Sequence, residues 1–243
     1  MNFPKMILFD YGQTIMSESL FDGVNGTRAV LEKSICNPLN ASPEEIFAFE
    51  KEMNNEIGRY NPHKKETYNF EVHNYPFQKY LYEYFDVEFS ASPMELEKIF
   101  WDNAAPAVPT KGVEKMLKYL DENGIKSGII SNLSFSGDCL KNRLDDKIPS
   151  NNFEFIIASS DYIFRKPNRR IFELALRKSK LSAAEVWYCG DNGFYDVDGS
   201  ANAGMTAVWY TGALLNNTYL PKENHVKIGD WDEMILLLEK LKK

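Results

Sequence analysis

Ile7-Leu8-Phe9-Asp10-Tyr11-Gly12-Gln13-Thr14 is the stretch that decides the fold. The apolar run Met6–Phe9 stops at a carboxylate, with a glycine two residues on and a hydroxyl two beyond that. A short apolar run bounded by polar turn residues predicts a buried strand. Asp10 then stands at the carboxyl end of that strand, where open α/β sheets hold their ligands. Alone, Asp10 reads equally well as a cap or turn residue. The residues downstream of Thr14 decide between the two.

Outward from that stretch, the composition narrows the classes. A chain of 243 residues with 44% apolar content can bury the core of one large or two modest domains. The net charge of −7 argues against a nucleic-acid partner, which needs a basic face. No apolar run reaches the ~18 residues of a membrane span. The opening Met-Asn-Phe-Pro-Lys lacks the apolar segment of a signal peptide. Cys36, Cys139 and Cys189 are scattered without metal-ligand spacing and are expected to be buried thiols in a reducing compartment. The expectation is a cytoplasmic protein with no membrane partner. The sequence does not specify an oligomeric state.

After Thr14 the pattern turns helical for about ninety residues. Ser42-Pro43-Glu44-Glu45 and Ser92-Pro93-Met94-Glu95 are capping boxes with proline at the first helical position. Ile46, Phe49, Met53 and Ile57 recur at helical spacing, as do Phe77, Tyr80, Leu81, Tyr84 and Phe85. The aromatics crowding Tyr60–Phe89 predict the core of a helical bundle. From Pro106 and Pro109 onward, strand and helix alternate. Strands are predicted at Gly128–Ile130, Phe153–Ala158, Val186–Cys189, Thr206–Tyr210 and Val226–Ile228, with a last helix over Trp231–Leu241. Val113, Met116, Leu117 and Leu120 mark a helix stopped by Asn123-Gly124. Ser182–Glu185 is a further capping box, and Asn216–Asn224 reads as a loose loop. The alternation predicts an α/β fold: a Rossmann-like parallel sheet core over residues 1–15 and 106–243, with an inserted helical cap over residues 16–105.

The later strands also stop in polar residues. Ser131-Asn132 follows one strand and Gly190-Asp191 another, with Arg165-Lys166-Pro167 between them. Gly190-Asp191-Asn192-Gly193-Phe194-Tyr195-Asp196-Val197-Asp198-Gly199-Ser200-Ala201-Asn202-Ala203-Gly204-Met205 is similar, nearly position for position, to the fourth motif of the haloacid dehalogenase superfamily. The Asp10–Thr14 stretch resembles that superfamily's first motif, Asp-x-Asp-x-Thr, with Gly12 in place of the second Asp. Ser131 and Lys166 resemble its second and third motifs, and the helical block resembles the cap inserted between motifs one and two. The resemblance implies a hydrolase with Asp10 as nucleophile and Mg²⁺ held by Asp10, Asp191 and the Gly12 carbonyl. Ser131, Asn132 and Lys166 would bind the phosphoryl group, and Asp196 would support the metal or the lysine.

Elementary chemistry runs the same way. Phosphoryl transfer needs an in-line nucleophile and charge neutralisation. Carboxylates gathered at one sheet edge repel unless a cation joins them, and Mg²⁺ takes such oxygen ligands. The expected partner is a small phosphorylated metabolite.

Gly12 complicates the chemistry, because the resemblance assigns that position the acid/base. Three alternatives stand: a Mg²⁺-dependent phosphatase that finds its acid elsewhere, a haloacid dehalogenase or phosphonate hydrolase, and a weakly active or non-catalytic phosphate-binding protein. With no acid/base, aryl and acyl phosphates should be favoured over alkyl ones, with a burst before a slow steady state. Gln13, His63, His73 and the cap tyrosines are the candidates to take over the proton transfers. Lys64 and Lys65 are the lysines a phosphonate hydrolase could draw on. The crossings at Glu18–Gly23 and Ala104–Pro109 are expected hinges between cap and core.

Overall fold

The computed structural model describes residues 1–58, 70–213 and 219–242. The first half of the chain runs β1 (Met6–Phe9), β2 (Met16–Glu18), α1 (Gly23–Leu31), β3 (Ser34–Cys36), α2 (Pro43–Glu56), α3 (Asn74–Tyr84), β4 (Glu88–Phe89), α4 (Pro93–Ala104) and β5 (Ala107–Pro109). The second runs α5 (Val113–Glu122), β6 (Lys126–Ser131), α6 (Gly137–Lys147), β7 (Phe153–Ala158), α7 (Ser159–Tyr162), α8 (Arg169–Ser179), β8 (Val186–Gly190), a π-helical turn at Gly193–Asp198, α9 (Gly199–Asn202), β9 (Thr206–Tyr210), β10 (His225–Ile228) and α10 (Trp231–Lys242).

Six strands form one sheet in the order β10-β9-β8-β1-β6-β7, and every pairing in it is parallel. β1 is buried at all four positions, which is why it reads as a continuous apolar run rather than an alternation. Its side chains divide between two cores. Ile7 and Phe9 face the layer of α5, α6 and α10, while Met6 and Leu8 face that of α8. The chain belongs to the α/β class with the parallel sheet its sequence predicts, and the predicted bounds of β7 and β9 hold.

The helical stretch has its own apolar cluster, built on Val30, Ile46, Leu81, Tyr82, Val87 and Leu96. Both proline-led capping boxes form: Ser42 and Ser92 accept from the backbones of Glu45 and Glu95, whose carboxylates reach back to the serines. The aromatic expectation holds only in part. Tyr82 and Phe77 are buried, but Tyr80 and Tyr84 are exposed and stack on each other, with Tyr84 also over Phe49. Tyr60, His63, Lys64, Lys65 and Tyr68 lie outside the described residues.

The stretch is also not purely helical. β2 pairs antiparallel with β5, and β3 with β4, apart from the main sheet. Strands of two or three residues are too short to show a period of two, so long-range pairing rather than local pattern creates them. Cys36, expected to be buried, is exposed on β3, while Cys139 and Cys189 are buried. The loop expected after Asn216 is anchored from Tyr219 on. Asp198 accepts from the Tyr219 hydroxyl at 2.7 Å and from the Lys222 and Glu223 backbones at 2.8 and 2.9 Å. Among the described residues no helix is long and apolar enough to cross a membrane.

Candidate active site

The sheet order brings the predicted residues together. β1 lies between β6 and β8, with Phe9 level with Ile129 on one side and Cys189 on the other. The chain therefore leaves the same sheet edge as Asp10, as Ser131-Asn132 and as Asp191, side by side. Lys166 arrives from the loop after α7. The Asn132 side chain clamps that loop, donating to the Lys166 carbonyl at 2.9 Å and accepting from its N–H at 2.7 Å. Asn132 thus holds the lysine's backbone.

The lysine is the centre of the arrangement. Its Nζ donates to Asp10 Oδ1 and Asp196 Oδ1, each at 2.6 Å, and to the Tyr188 hydroxyl at 2.7 Å, with only 2% of the residue exposed. Burial works against its charge, but the Asp10 and Asp196 carboxylates outweigh burial and raise its pKa. Asp196 sits in the π-helical turn, and its second oxygen accepts from the Asn192 N–H at 2.9 Å. Gly190 makes this approach possible: a Cβ there would lie 2.4 Å from Asp196 Cγ. Asn192 caps the same turn, accepting from the N–H groups of Phe194 and Tyr195.

Asp10, Asp191 and Asp196 each offer an oxygen, all within 4.8 Å of one another. Burial pushes the Asp10 carboxyl up to about 6 against the pull of Lys166. Burial, together with the Asp196 and Asp10 charges, pushes Asp191 up to about 8. One buried lysine does not neutralise three converging carboxylates. The donor set is all oxygen, which suits a hard divalent cation. A cavity of about 260 Å³ opens beside them, lined by Gly12, Glu18, Ser131 and Arg165 as well as by Asp10, Lys166, Asp191 and Asp196.

Three of these neighbours were not anticipated. Tyr188 is on β8, and its hydroxyl donates to the Ile130 carbonyl at 3.0 Å while accepting from Lys166. Its signal was its place in the strand, two residues before Gly190. Arg165 pairs with buried Glu71 at 2.9 Å. Glu18 comes from β2, and nothing in the local sequence points to it. Burial raises the Glu18 pKa, while Arg143 and hydrogen bonds from Trp101 and Tyr11 pull it down. Of the histidines, His73 and His225 do not line the cavity, and His63 lies outside the described residues. His73 caps α3 and lies 3.5 Å from Asp161, and His225 is exposed.

A parallel sheet whose central strand ends in a lysine-bound aspartate, with further carboxylates just beyond the end of the neighbouring strand, defines a class of hydrolase. The haloacid dehalogenase-like hydrolase family matches residues 39–210, more than half of the chain, and the protein belongs to it. The glyceraldehyde 3-phosphate phosphatase of Pyrococcus abyssi is 26% identical over 211 residues, covering 85% of this chain and 81% of that protein. Among solved structures, a HAD phosphatase from Thermococcus onnurineus superposes with a TM-score of 0.61 at 21% identity, over 98% of both chains. A 2-haloacid dehalogenase from Pseudomonas syringae pv. Tomato DC3000 superposes nearly as well, with a TM-score of 0.60 at 20% identity over 98% of this chain and 99% of that one. The fold accommodates both chemistries, so the site must choose between them.

Proposed function

We propose that the protein is a Mg²⁺-dependent phosphatase acting on a small phosphorylated metabolite through an aspartyl-phosphate on Asp10. The convergence of Asp191 and Asp196 on Asp10 carries this reading. Displacement of halide needs no such acidic cluster, whereas phosphoryl transfer needs a cation to offset the substrate's charge. Bound by Asp10, Asp191 and the Gly12 carbonyl, Mg²⁺ would offset that charge. An Asp10 carboxylate oxygen attacks phosphorus, the bond from phosphorus to the substrate oxygen breaks, and the electron pair leaves on that oxygen. Water then attacks the phosphorus of the aspartyl-phosphate, freeing inorganic phosphate and restoring the carboxylate. Lys166 holds Asp10 in place and faces the phosphoryl oxygens with fixed positive charge, and Ser131 donates to them.

Residues 1–15 and 106–243 would form the core of this enzyme and residues 16–105 the cap that selects substrate. The two crossings between them run side by side: the Ser19 and Asp22 N–H groups donate to the Pro106 and Ala104 carbonyls at 2.9 and 2.7 Å. They would therefore bend as one hinge, with closure excluding water from the aspartyl-phosphate. Identical cap angles with and without a bound phosphate analogue would count against this.

The test is a panel of phosphomonoesters, triose phosphates included, with and without Mg²⁺ and beside 2-haloacids. Mg²⁺-stimulated phosphate release is expected. Halide release that persists in EDTA would overturn the assignment. Asp191→Ala should remove the response to Mg²⁺ and lower turnover about 10²–10³-fold, in line with loss of a charge-stabilising group. Wild-type turnover of that variant in EDTA would misplace the metal.

Metal dependence should also appear in stability. Asp10 and Asp191 hold protons more tightly folded than unfolded, so metal-free stability falls as pH rises from the ordinary carboxylate range through about 6 and about 8. Mg²⁺ binds the ionised, folded form, so its upward shift of Tm should be small near pH 5 and large near pH 8. A shift independent of pH would contradict the cluster's role.

A further inference from the structure

We infer that Glu18 supplies the acid/base carboxyl of this site, reaching from β2 into the place where Gly12 has no side chain. A Cβ at Gly12 would lie 3.5 Å from Glu18 Oε2, so the carboxylate borders the space that a side chain at position 12 would enter. Glu18 lines the same cavity as Asp10, Lys166 and Asp191. This inference rests on the phosphatase reading above, and it replaces the expectation drawn from Gly12 alone.

The carboxyl is held from behind. Glu18 Oε1 accepts from Trp101 Nε1 at 2.8 Å and lies 3.6 Å from Arg143 Nη2. Arg143 is itself fixed. It donates to the Tyr11 hydroxyl at 2.7 Å, to Asp102 Oδ1 at 2.5 Å and to the Ala105 carbonyl, with its guanidinium over the Trp101 ring at 4.5 Å. The backbone is held too. Gln13 Nε2 donates to the Glu18 carbonyl at 3.1 Å, and β2 pairs Glu18 with Ala107 on β5. One oxygen is thus anchored to the aromatic–arginine cluster, and the other lies on the Gly12 side. A positioned group of this kind suits proton transfer better than a mobile surface carboxylate.

The chemistry closes on itself. Protonated Glu18 gives its proton to the substrate oxygen as the phosphorus–oxygen bond breaks, so an alcohol leaves rather than an alkoxide. The resulting carboxylate takes a proton from water as that water's oxygen attacks the aspartyl-phosphate. Inorganic phosphate departs, and Glu18 is protonated for the next cycle.

The test compares an alkyl phosphate with p-nitrophenyl phosphate in Mg²⁺, using the wild type, Glu18→Gln, Glu18→Gln with Gly12→Asp, and Asp10→Asn. The wild type should hydrolyse both esters without a burst. Glu18→Gln keeps an acceptor for Trp101 and should lose alkyl turnover by about 10²–10⁴-fold, the range of a positioned acid–base. With the aryl ester it should release one equivalent of nitrophenolate and then run slowly, because that leaving group needs no proton but the aspartyl-phosphate still needs a base. The burst amplitude counts folded, active sites. Gly12→Asp in the Gln background should restore alkyl turnover.

An unchanged alkyl-to-aryl ratio, or equal loss of both activities without a burst, would leave Glu18 a merely structural partner of Trp101 and overturn the inference. Should Gln unfold the protein by circular dichroism, Glu18→Asp carries the same test. It keeps the charge but withdraws it one methylene from Gly12, and it must show the same selective loss of alkyl turnover. A wild type silent on every phosphomonoester defeats the phosphatase reading itself. Activity abolished by Asp10→Asn but untouched by Glu18→Gln defeats only the assignment of Glu18.

Discussion

Asp10→Asn is expected to lower phosphomonoester turnover by roughly four orders of magnitude or more, the scale seen when a nucleophile is removed from an enzyme. The amide is nearly isosteric and still offers an oxygen to Lys166, which donates to Asp10 Oδ1 at 2.6 Å. It cannot form the aspartyl-phosphate, because an amide oxygen is a poor nucleophile. Loss of activity alone would not separate this from unfolding, but the electrostatics supply a second readout. Burial pushes the Asp10 carboxyl up to about 6, so its ionised form is less favourable folded than unfolded. Between the ordinary carboxylate value and about 6 the folded state binds more protons, and stability declines with rising pH. The neutral amide removes that decline. In EDTA near pH 8, Asp10→Asn should therefore raise Tm while abolishing turnover, a trade of function against stability expected where charges are crowded for chemistry. Thermal melts at pH 5 and pH 8 check it. A variant that is inactive and also less stable at pH 8 would mean that Asp10 serves the fold rather than the reaction.

The sheet was legible because its four inner strands are buried almost throughout and its helices announce themselves with caps. Met6–Phe9 is an apolar run, and Phe153–Ala158 is one interrupted only by Glu154, and both read as strands once strand and helix alternate after Pro109. Asp10, Ser131, Lys166, Asp191 and Asp196 were legible for a related reason. Each follows a strand or sits at a fixed offset from one, and the sheet order then brings them to one edge with Lys166 among the carboxylates.

What the sequence hid is what depends on pairing between distant segments. Glu18 is one acidic residue in a polar stretch, and only the pairing of β2 with β5 turns it toward Gly12. Arg143 lies on a polar helix, yet it is 1% exposed and gathers Tyr11 from the turn after β1 and Trp101, Asp102 and Ala105 from the end of α4. No local periodicity encodes a side chain whose partners lie dozens of residues away. Asp198 is similar: it sits inside the fourth motif, but its oxygens hold Tyr219, Lys222 and Glu223.

Lys166→Met should be the most damaging single change to activity and stability together. Lys166 is 2% exposed and places its ammonium 2.6 Å from both Asp10 and Asp196. Methionine fills similar volume and removes the charge, leaving two buried carboxylates facing each other. Breaking a buried ion pair by deleting one partner costs about 3–5 kcal/mol, because the remaining charge stays desolvated. The folded pKa of Lys166 is raised above its ordinary value of 10.5, so its contribution is complete at neutral pH and is lost only as pH climbs through the raised value. Without the ammonium, the pull that lowers Asp10 disappears, and its carboxyl rises further above about 6. The variant can then relieve the repulsion only by taking up a proton. Its destabilisation should be greatest near pH 8 and shrink toward pH 5, measured by urea unfolding in EDTA. Turnover should fall by about 10³-fold even where the variant is folded, since the phosphoryl oxygens lose a fixed positive charge. A destabilisation independent of pH would show that the lysine acts through packing of its stem against Tyr188 rather than through charge. Turnover within tenfold of wild type would move the phosphoryl-binding role to Arg165, the other cation lining the cavity.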